Sequence, residues 1–301
     1  MSNPRIPYQF STTRPKLEAP GGKPIVVNLV VNVEHWRIED PMPRTLLTPP
    51  HGRETIPDVP NFSWADYGMR CGLPRLLELF SARGLPVSTS CNAGVIDAYP
   101  QAAEAMQRAG WEFVGHGMHQ RTLNAAADER QLIEESLDRI ARFTGIRPRG
   151  WLSPGLRQSW DTLDLLKASG VEYCHDWVIE DVPVWMSTRH GPIIGMPYAL
   201  EVNDSVIYAV ERQSTDEMYR RLARTIECFA QESTRQVRVL GIGLHPHLIG
   251  VPHRFGDMAR MLDLLQARSD VCFMNGGQIA DWFSGQPRQG PSASGGSAPA
   301  A

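Results

Sequence analysis

Apolar and polar stretches alternate along the chain and predict a repeated strand–helix unit. The first apolar run, "PIVVNLVVNV" (residues 24–33), is rich in β-branched residues and is typical of a strand buried on both faces. Later segments such as "ADERQLIEESLDRIARFTG" (residues 127–145) place apolar residues at helical spacing on one stripe. Because such alternation is typical of strand–helix–strand crossovers, the pattern predicts an α/β fold with a parallel sheet.

The number of these units decides the architecture that we expect. About seven strands, each followed by a helix, favour a deformed (β/α) barrel, with an open doubly wound sheet as the alternative. Residues 23–285 are predicted to form this single domain. Residues 1–22 are polar and proline-rich and predict an extended arm. Residues 286–301 are rich in Pro, Gly, Ser and Ala and predict a disordered tail.

Composition and charge exclude several classes of function. The net charge of −3 shows no basic excess for binding nucleic acid or an anionic membrane. No run approaches the ~18 apolar residues of a membrane span, and the N-terminus has no apolar region of the secretory type. Five scattered cysteines without CxxC spacing are typical of a reduced protein. We therefore expect a cytoplasmic protein that acts on a small molecule.

Polar side chains with catalytic or binding chemistry follow nearly every predicted strand. In parallel β/α folds the carboxyl ends of the strands meet at one rim, where active sites lie. One polar strand end is usually a cap or a loop residue, whereas six or seven at one rim indicate an active site. The candidates are Glu34, His35, Asn92, His116, Trp151, Asp176, Trp177, Asn203 and His245.

These residue types suggest hydrolysis. Glu34 can act as a general base for water or as a metal ligand. His245 can protonate a leaving amine because the ordinary histidine pKa of ~6.5 lies near neutrality. By strand alternation with Asp176, His175 is expected to point away from the barrel interior. The residues predicted to bind substrate, through amide-pairing polar groups or flat apolar walls, are Asn92, Trp151, Asp176, Trp177 and Asn203.

The motifs, taken as an ordered set, resemble the polysaccharide deacetylase (NodB-homology) superfamily, which has a deformed (β/α) barrel. The resemblance covers roughly residues 24–285. Within the superfamily the chain is most similar to the allantoinase and cyclic imide hydrolase branch, which implies ring opening at C–N bonds and a homo-oligomer. The matching segments are "VVNVEHW", "EFVGHGMHQ", "RPRGWLSPG", "YCHDWVIEDVPVW", "MPYALEVND" and "LHPHLIGVPHRF".

The metal motif departs from that of the sugar deacetylases. Those proteins carry Asp-Asp after the first strand, where this chain has Glu34-His35. They carry two histidines four residues apart after the third strand, where this chain has His116 and Gln120, with His119 between them. Three alternatives stay open: a divalent ion such as Zn²⁺ on Glu34, His35 and His116, an ion bound by His119, or no metal, with Glu34 activating water.

The sequence therefore predicts a hydrolase that opens C–N bonds of small cyclic amides such as allantoin, hydantoins or imides. Glu34 is the base, His245 the acid, and His116 a metal ligand or a donor to the oxyanion. The long segment at residues 37–68 is expected to cover the site or an interface. Two other functions remain open: a metal-dependent N-deacetylase of N-acetylated sugars, and a catalytically inactive barrel that acts as a binding protein.

Overall fold

The computed structural model describes residues 3–49, 52–53, 55–123 and 126–287. The predicted tail lies outside these ranges from residue 288 onward. Within them, one curled sheet of nine strands forms the centre of the fold. The strands are β1 (Ile25–Val33), β2 (Val87–Cys91), β3 (Glu112–Gly115), β4 (Gly150–Trp151), β5 (Tyr173–Cys174), β6 (Val184–Met186), β7 (Ile193–Gly195), β8 (Arg238–Leu244) and β9 (Val271–Phe273).

The strand order confirms the α/β class and the deformed barrel. Along the sheet the order is β6-β7-β5-β4-β3-β2-β1-β8, and β9 pairs with β1. Every pair is parallel except β6–β7. The sheet thus has more strands than the seven or so expected. The strand that sequence missed is β6, which is short and follows Pro183, so that its sequence reads as a loop.

Irregular backbone closes the side of the barrel between β8 and β6. Three backbone contacts reach β8 from segments that are not regular strands, and they replace the ladder of a closed barrel. They join Val239 to Asp181, Ala199 to Gly241, and Asn203 to Gly243. The barrel is therefore deformed on the side where Asn203 approaches the carboxyl end of β8.

Nine helices in the described part of the chain cover the sheet. A π-helical turn (Gly68–Gly72) joins α1 to α2, so helical structure begins inside the long segment at residues 37–68. No helix among the described residues is long and apolar enough to cross a membrane. The helices are α1 (Val59–Tyr67), α2 (Leu73–Ala82), α3 (Val95–Ala98), α4 (Pro100–Arg108), α5 (Glu129–Thr144), α6 (Thr162–Ala168), α7 (Glu217–Glu232), α8 (Pro252–Gln266) and α9 (Gly276–Ser284).

Two glycines let this joined helix approach the loop after β8. A Cβ on Gly72 would lie 1.9 Å from the carbonyl oxygen of Pro246, and one on Gly68 would lie 2.4 Å from the nitrogen of His247. Neither separation is possible for a real side chain, so only glycine permits this packing. The contact fixes the segment that carries His245.

Side chains of each strand alternate between an inner and an outer face of the sheet. On β1, Val26 and Val30 belong to the hydrophobic core inside the barrel, whereas Val27 and Leu29 pack with the surrounding helices. α9 closes the barrel at the end where the strands start, because the backbone N–H of Gly276 donates to Ser88. The opposite end, where the strands finish, is left open for a site.

Candidate active site

A cavity of about 690 Å³ opens at the carboxyl ends of the strands. Four of the predicted site residues line it: Glu34, His116, Asn203 and His245. All four lie on the inner face of the sheet. Glu34, His116 and His245 directly follow β1, β3 and β8, and Asn203 lies beside β8. The segment at 37–68 also contributes Pro41, Pro43 and Arg44, so it covers the site as expected.

The carboxylate of Glu34 is held by two hydrogen bonds. Gln120 Nε2 donates to Oε1 at 2.8 Å, and the indole Nε1–H of Trp36 donates to Oε2 at 2.7 Å. Its side chain is only 9% exposed. Gln120 is the residue at the position of the superfamily's second histidine, and here it orients the carboxylate. A buried, oriented carboxylate beside a cavity is suited to act as a general base.

His245 faces Glu34 and is supported from behind by Asp204. Its Nε2 lies 3.6 Å from Glu34 Oε1, and its Nδ1 lies 2.6 Å from Asp204 Oδ1. The second oxygen of Asp204 accepts the backbone N–H groups of His245 and Ile249. Burial lowers the pKa of His245, but the charge and hydrogen bond of Asp204, with the charge of Glu34, outweigh it and raise the pKa overall. The ring is therefore held ready to donate a proton from Nε2.

His116 presents an unpaired nitrogen to the cavity. Its Nδ1 bonds the carbonyl oxygen of Leu152, which can only accept, so Nδ1 carries the proton. Nε2 is buried and has no hydrogen-bond partner among the described residues. Burial lowers the pKa of this ring, which keeps it neutral. A neutral Nε2 accepts a proton or a metal, so this arrangement fits a ligand role and does not fit donation to an oxyanion.

His35 is turned away from the cavity. Its Nδ1 lies 3.0 Å from Nδ1 of His119, and its backbone N–H donates to Asn92. Burial lowers the pKa of both rings. Within the described ranges, no group of three His, Cys, Asp or Glu side chains is placed to hold a metal ion. The predicted ligand set of Glu34, His35 and His116 is therefore not brought together.

Two predicted substrate residues lie behind the cavity wall. The indole of Trp151 donates to Ser153 Oγ at 3.0 Å, and Asp176 accepts the N–H and the hydroxyl of Ser153 at 2.7 and 2.6 Å. Trp151 is fully buried in the cluster under the helices. The prediction placed these residues on the wrong face by one position, because Leu152 is the neighbour that lines the cavity.

The other two predicted substrate residues have structural contacts. The Asn92 side chain accepts from the backbone of His35 and donates to the carbonyl of His116, so it joins the ends of β1 and β3. Trp177 packs against the hydrophobic cluster that contains Trp151, under the helices, and it does not line the cavity. His175, expected to face outward, lies inside the barrel with its ring 5.7 Å from that of Tyr198.

Three contributors to the site were not predicted. Asp204, Gln120 and Trp36 each hold one of the two central groups in place. The signal for Asp204 was present, because it belongs to the Asn203-Asp204 pair of the motif set, but a carboxylate before a turn is usually a cap. The position of Gln120, where the superfamily has its second histidine, placed it near the site but did not indicate its bond to Glu34, and Trp36 offered no signal.

Comparison with known proteins identifies the family. The family model for polysaccharide deacetylase matches residues 63–174, which include β2, β3 and the segment up to β5. The match indicates a polysaccharide deacetylase domain in this part of the chain. A Schizosaccharomyces pombe protein named as a polysaccharide deacetylase is 26% identical over 296 residues, covering 88% of this chain and 92% of the relative.

Two solved structures share the fold of this chain along nearly its whole length. The "probable Polysaccharide deacetylase" of Pseudomonas aeruginosa PAO1 is 25% identical, with a TM-score of 0.82 and coverage of 93% of this chain and 98% of that one. "Puue Allantoinase" is also 25% identical, with a TM-score of 0.81 and coverage of 93% and 97%. The domain is thus of the NodB type, in a family of hydrolases that act on C–N bonds.

Proposed function

We propose that this domain hydrolyses the C–N bond of small cyclic amides, with Glu34 as general base and His245 as general acid. One observation carries the proposal: an oriented carboxylate and a histidine held by a buried carboxylate lie 3.6 Å apart at one cavity. Such a pair can remove a proton from water and supply one to a leaving nitrogen.

The proposed reaction uses one water and regenerates both groups. Glu34 takes a proton from a water whose oxygen attacks the ring carbonyl carbon. His245 then donates its Nε2 proton to the ring nitrogen as the C–N bond breaks, which opens the ring to a carboxylic acid and a free amide or ureide N–H. The proton on Glu34 returns to His245, since the two groups are near contact. Asp204 positions the imidazole and stabilises its charged form.

Two observations favour a cyclic amide over an acetylated sugar. The structural similarity to an allantoinase spans 93% of this chain. Two of the three groups at the superfamily's metal-ligand positions also have other partners here: Gln120 binds Glu34, and His35 packs on His119. The second candidate, N-deacetylation of sugars, is favoured by the names of the other two similar proteins. A homo-oligomer, a cytoplasmic location and a bound divalent ion stay predictions.

A substrate panel tests the proposal. The purified chain is assayed on allantoin, hydantoin, succinimide and N-acetylglucosamine oligomers. We expect ring opening of at least one cyclic amide and a loss of about 10³-fold in kcat in Glu34→Gln, because general base catalysis typically contributes 10²–10⁴-fold. The matched control is Glu227→Gln on the exposed face of α7, which is expected to keep full activity.

Three outcomes would contradict the proposal in different ways. Release of acetate from the sugar oligomers without ring opening would establish the second candidate. Full activity in a folded Glu34→Gln variant would remove Glu34 from the role of base. No turnover of any substrate would favour an inactive barrel that binds its ligand.

A further inference from the structure

Three arginines line the same cavity and have no part in the mechanism above. Arg44 comes from the segment after β1, Arg121 from the loop after β3, and Arg157 from the turn after β4. They reach the cavity from three separate parts of the chain. Their convergence is therefore a property of the fold and not of one basic stretch.

These guanidinium groups are not neutralised by neighbours. Glu34 is the single carboxylate that lines the cavity within the described residues, and Gln120 and Trp36 already bind it. Arg121 lies 3.8 Å from Asp40, which is a long contact for an ion pair. In the part of the chain that the structure describes, the side chains of Arg44 and Arg157 form no hydrogen bond or ion pair.

The three arginines differ from the others by their convergence on one cavity, since exposed arginines such as Arg142 also lack a carboxylate partner among the described residues. The chain carries more acidic than basic groups, 33 against 30, and its other arginines commonly form close pairs. Arg14 binds Glu180 through two nitrogens, and Arg149 binds both Glu172 and Asp281. Three cations around one cavity with one engaged carboxylate give its lining an excess of positive charge. They leave the cavity complementary to a negative charge.

The backbone beside Arg157 is held in an uncommon conformation. Leu156, which precedes it and lines the cavity, has φ of 57°, and Gly155 has φ of 62°. A leucine in the left-handed region is strained and persists only where the surrounding structure requires it. The Leu156 N–H donates to Ser153 at 2.8 Å, which holds the turn. This turn fixes the point from which Arg157 extends.

We propose that the natural substrate is a cyclic amide with a carboxylate on a ring substituent, bound by Arg44, Arg121 and Arg157. This inference rests on the proposed function, since it places the ring at Glu34 and His245. Guanidinium groups bind carboxylates through paired hydrogen bonds. The cavity, at about 690 Å³, has the size of a site for a ring together with a side chain.

A bound carboxylate also affects the proposed acid. The charge of Arg44 lowers the pKa of His245, against the larger effect of Asp204. A substrate carboxylate beside Arg44 offsets that charge and favours the protonated imidazole. Binding of the anionic substituent thus supports the proton donation that ring opening needs.

A matched pair of probes tests the inference. Hydantoin-5-acetic acid and its neutral counterpart hydantoin-5-acetamide have nearly the same shape. Dissociation constants are measured by calorimetry with Glu34→Gln, and kcat/KM with the unmodified chain. We expect the acid to bind about tenfold more tightly than the amide, with the ratio falling at high salt. Arg44→Gln and Arg157→Gln are each expected to reduce the ratio of the two dissociation constants about fivefold and to leave the dissociation constant of the amide unchanged, because the amide has no charge for a guanidinium to bind.

The control and the contradicting outcomes are separate from those of the proposed function. Arg142→Gln, on the exposed face of α5, is expected to leave both ligands unaffected. Equal affinity for acid and amide, or arginine variants that weaken both ligands alike, would overturn the carboxylate site. Hydrolysis of neutral rings without preference for the acid would do so while leaving the proposed function intact. Tight binding of the acid without hydrolysis would instead remove the proposed function and keep the site.

Discussion

Two polar clusters lie at the same edge of the barrel, on opposite faces of the sheet. The inner cluster comprises Glu34, Trp36, Gln120, Asp204 and His245, and it borders the cavity. The outer cluster comprises Trp151, Ser153 and Asp176, and it packs toward the helices. In each cluster an indole is linked to a carboxylate by hydrogen bonds. Trp36 bonds Glu34 directly, whereas Trp151 reaches Asp176 through the hydroxyl of Ser153. The residue types are alike, so the face of the sheet decides which cluster can reach a substrate.

Both clusters contain a group whose pKa is raised, so pKa shifts alone do not show which cluster is the active site. Burial raises the pKa of Asp176 to about 6, against the hydrogen bonds from Ser153 that lower it. Burial lowers the pKa of His245, but Asp204 raises it by more, so the pKa lies above its ordinary value. A search for shifted groups would therefore select both clusters as candidate sites. The inner cluster differs because it borders the cavity, where Gln120 Oε1 and the neighbouring His116 Nε2 have no hydrogen-bond partner among the described residues.

Among the variants that compare the two clusters, the largest effect is expected from removing the support of His245. Asp204→Asn is expected to lower kcat by at least about 10²-fold, because the imidazole loses its hydrogen-bond partner and the negative charge that stabilises its protonated form. His245 acts as an acid while protonated, and its raised pKa keeps it so to higher pH. Loss of Asp204 lowers that pKa, so the alkaline limb of the pH–rate profile moves to lower pH. An unchanged alkaline limb in the folded variant would contradict the role of Asp204.

The matched variant in the outer cluster is Asp176→Asn. It is expected to leave kcat and the alkaline limb unchanged, and to act on stability instead. Because the folded pKa of Asp176 is raised, its contribution to stability is full below about 4 and is lost as pH rises through about 6. The variant is expected to remove this part of the pH dependence of unfolding, measured by denaturant titration.

A second pair of variants deletes the same chemical group on each face. Trp36→Phe removes the indole donor to Glu34, and we expect kcat/KM to fall about tenfold because a hydrogen bond to a charged group is lost. Trp151→Phe removes the donor to Ser153, and we expect the free energy of unfolding to fall by about 1 kcal/mol with kcat/KM unchanged. A drop in kcat/KM for Trp151→Phe as large as that for Trp36→Phe would return Trp151 to the substrate site.

The sequence was most informative where strands are long. β1 alternates over nine residues and β8 over seven, so the inward positions of Glu34 and His245 could be predicted from their strand ends. β4 and β5 have two residues each, too few to define a face, and there Trp151, Asp176 and His175 were misplaced by one position. The partners of Glu34 could not be predicted, since loop folding brings Gln120 and Trp36 to it.

His35, which was predicted as a metal ligand, also lies outside the cavity, and its replacement should have only a small effect on activity. The ring contacts His119 and lies outside the cavity lining. His35→Gln is therefore expected to change kcat/KM by less than about threefold, and to leave unchanged any metal content found by elemental analysis, since interaction with one noncatalytic neighbour is lost. His116→Gln is the matched comparison, because its Nε2 faces the cavity. Joint loss of a stoichiometric metal and of activity in His35→Gln, reproduced by a chelator, would establish His35 as a ligand and require a rearranged site.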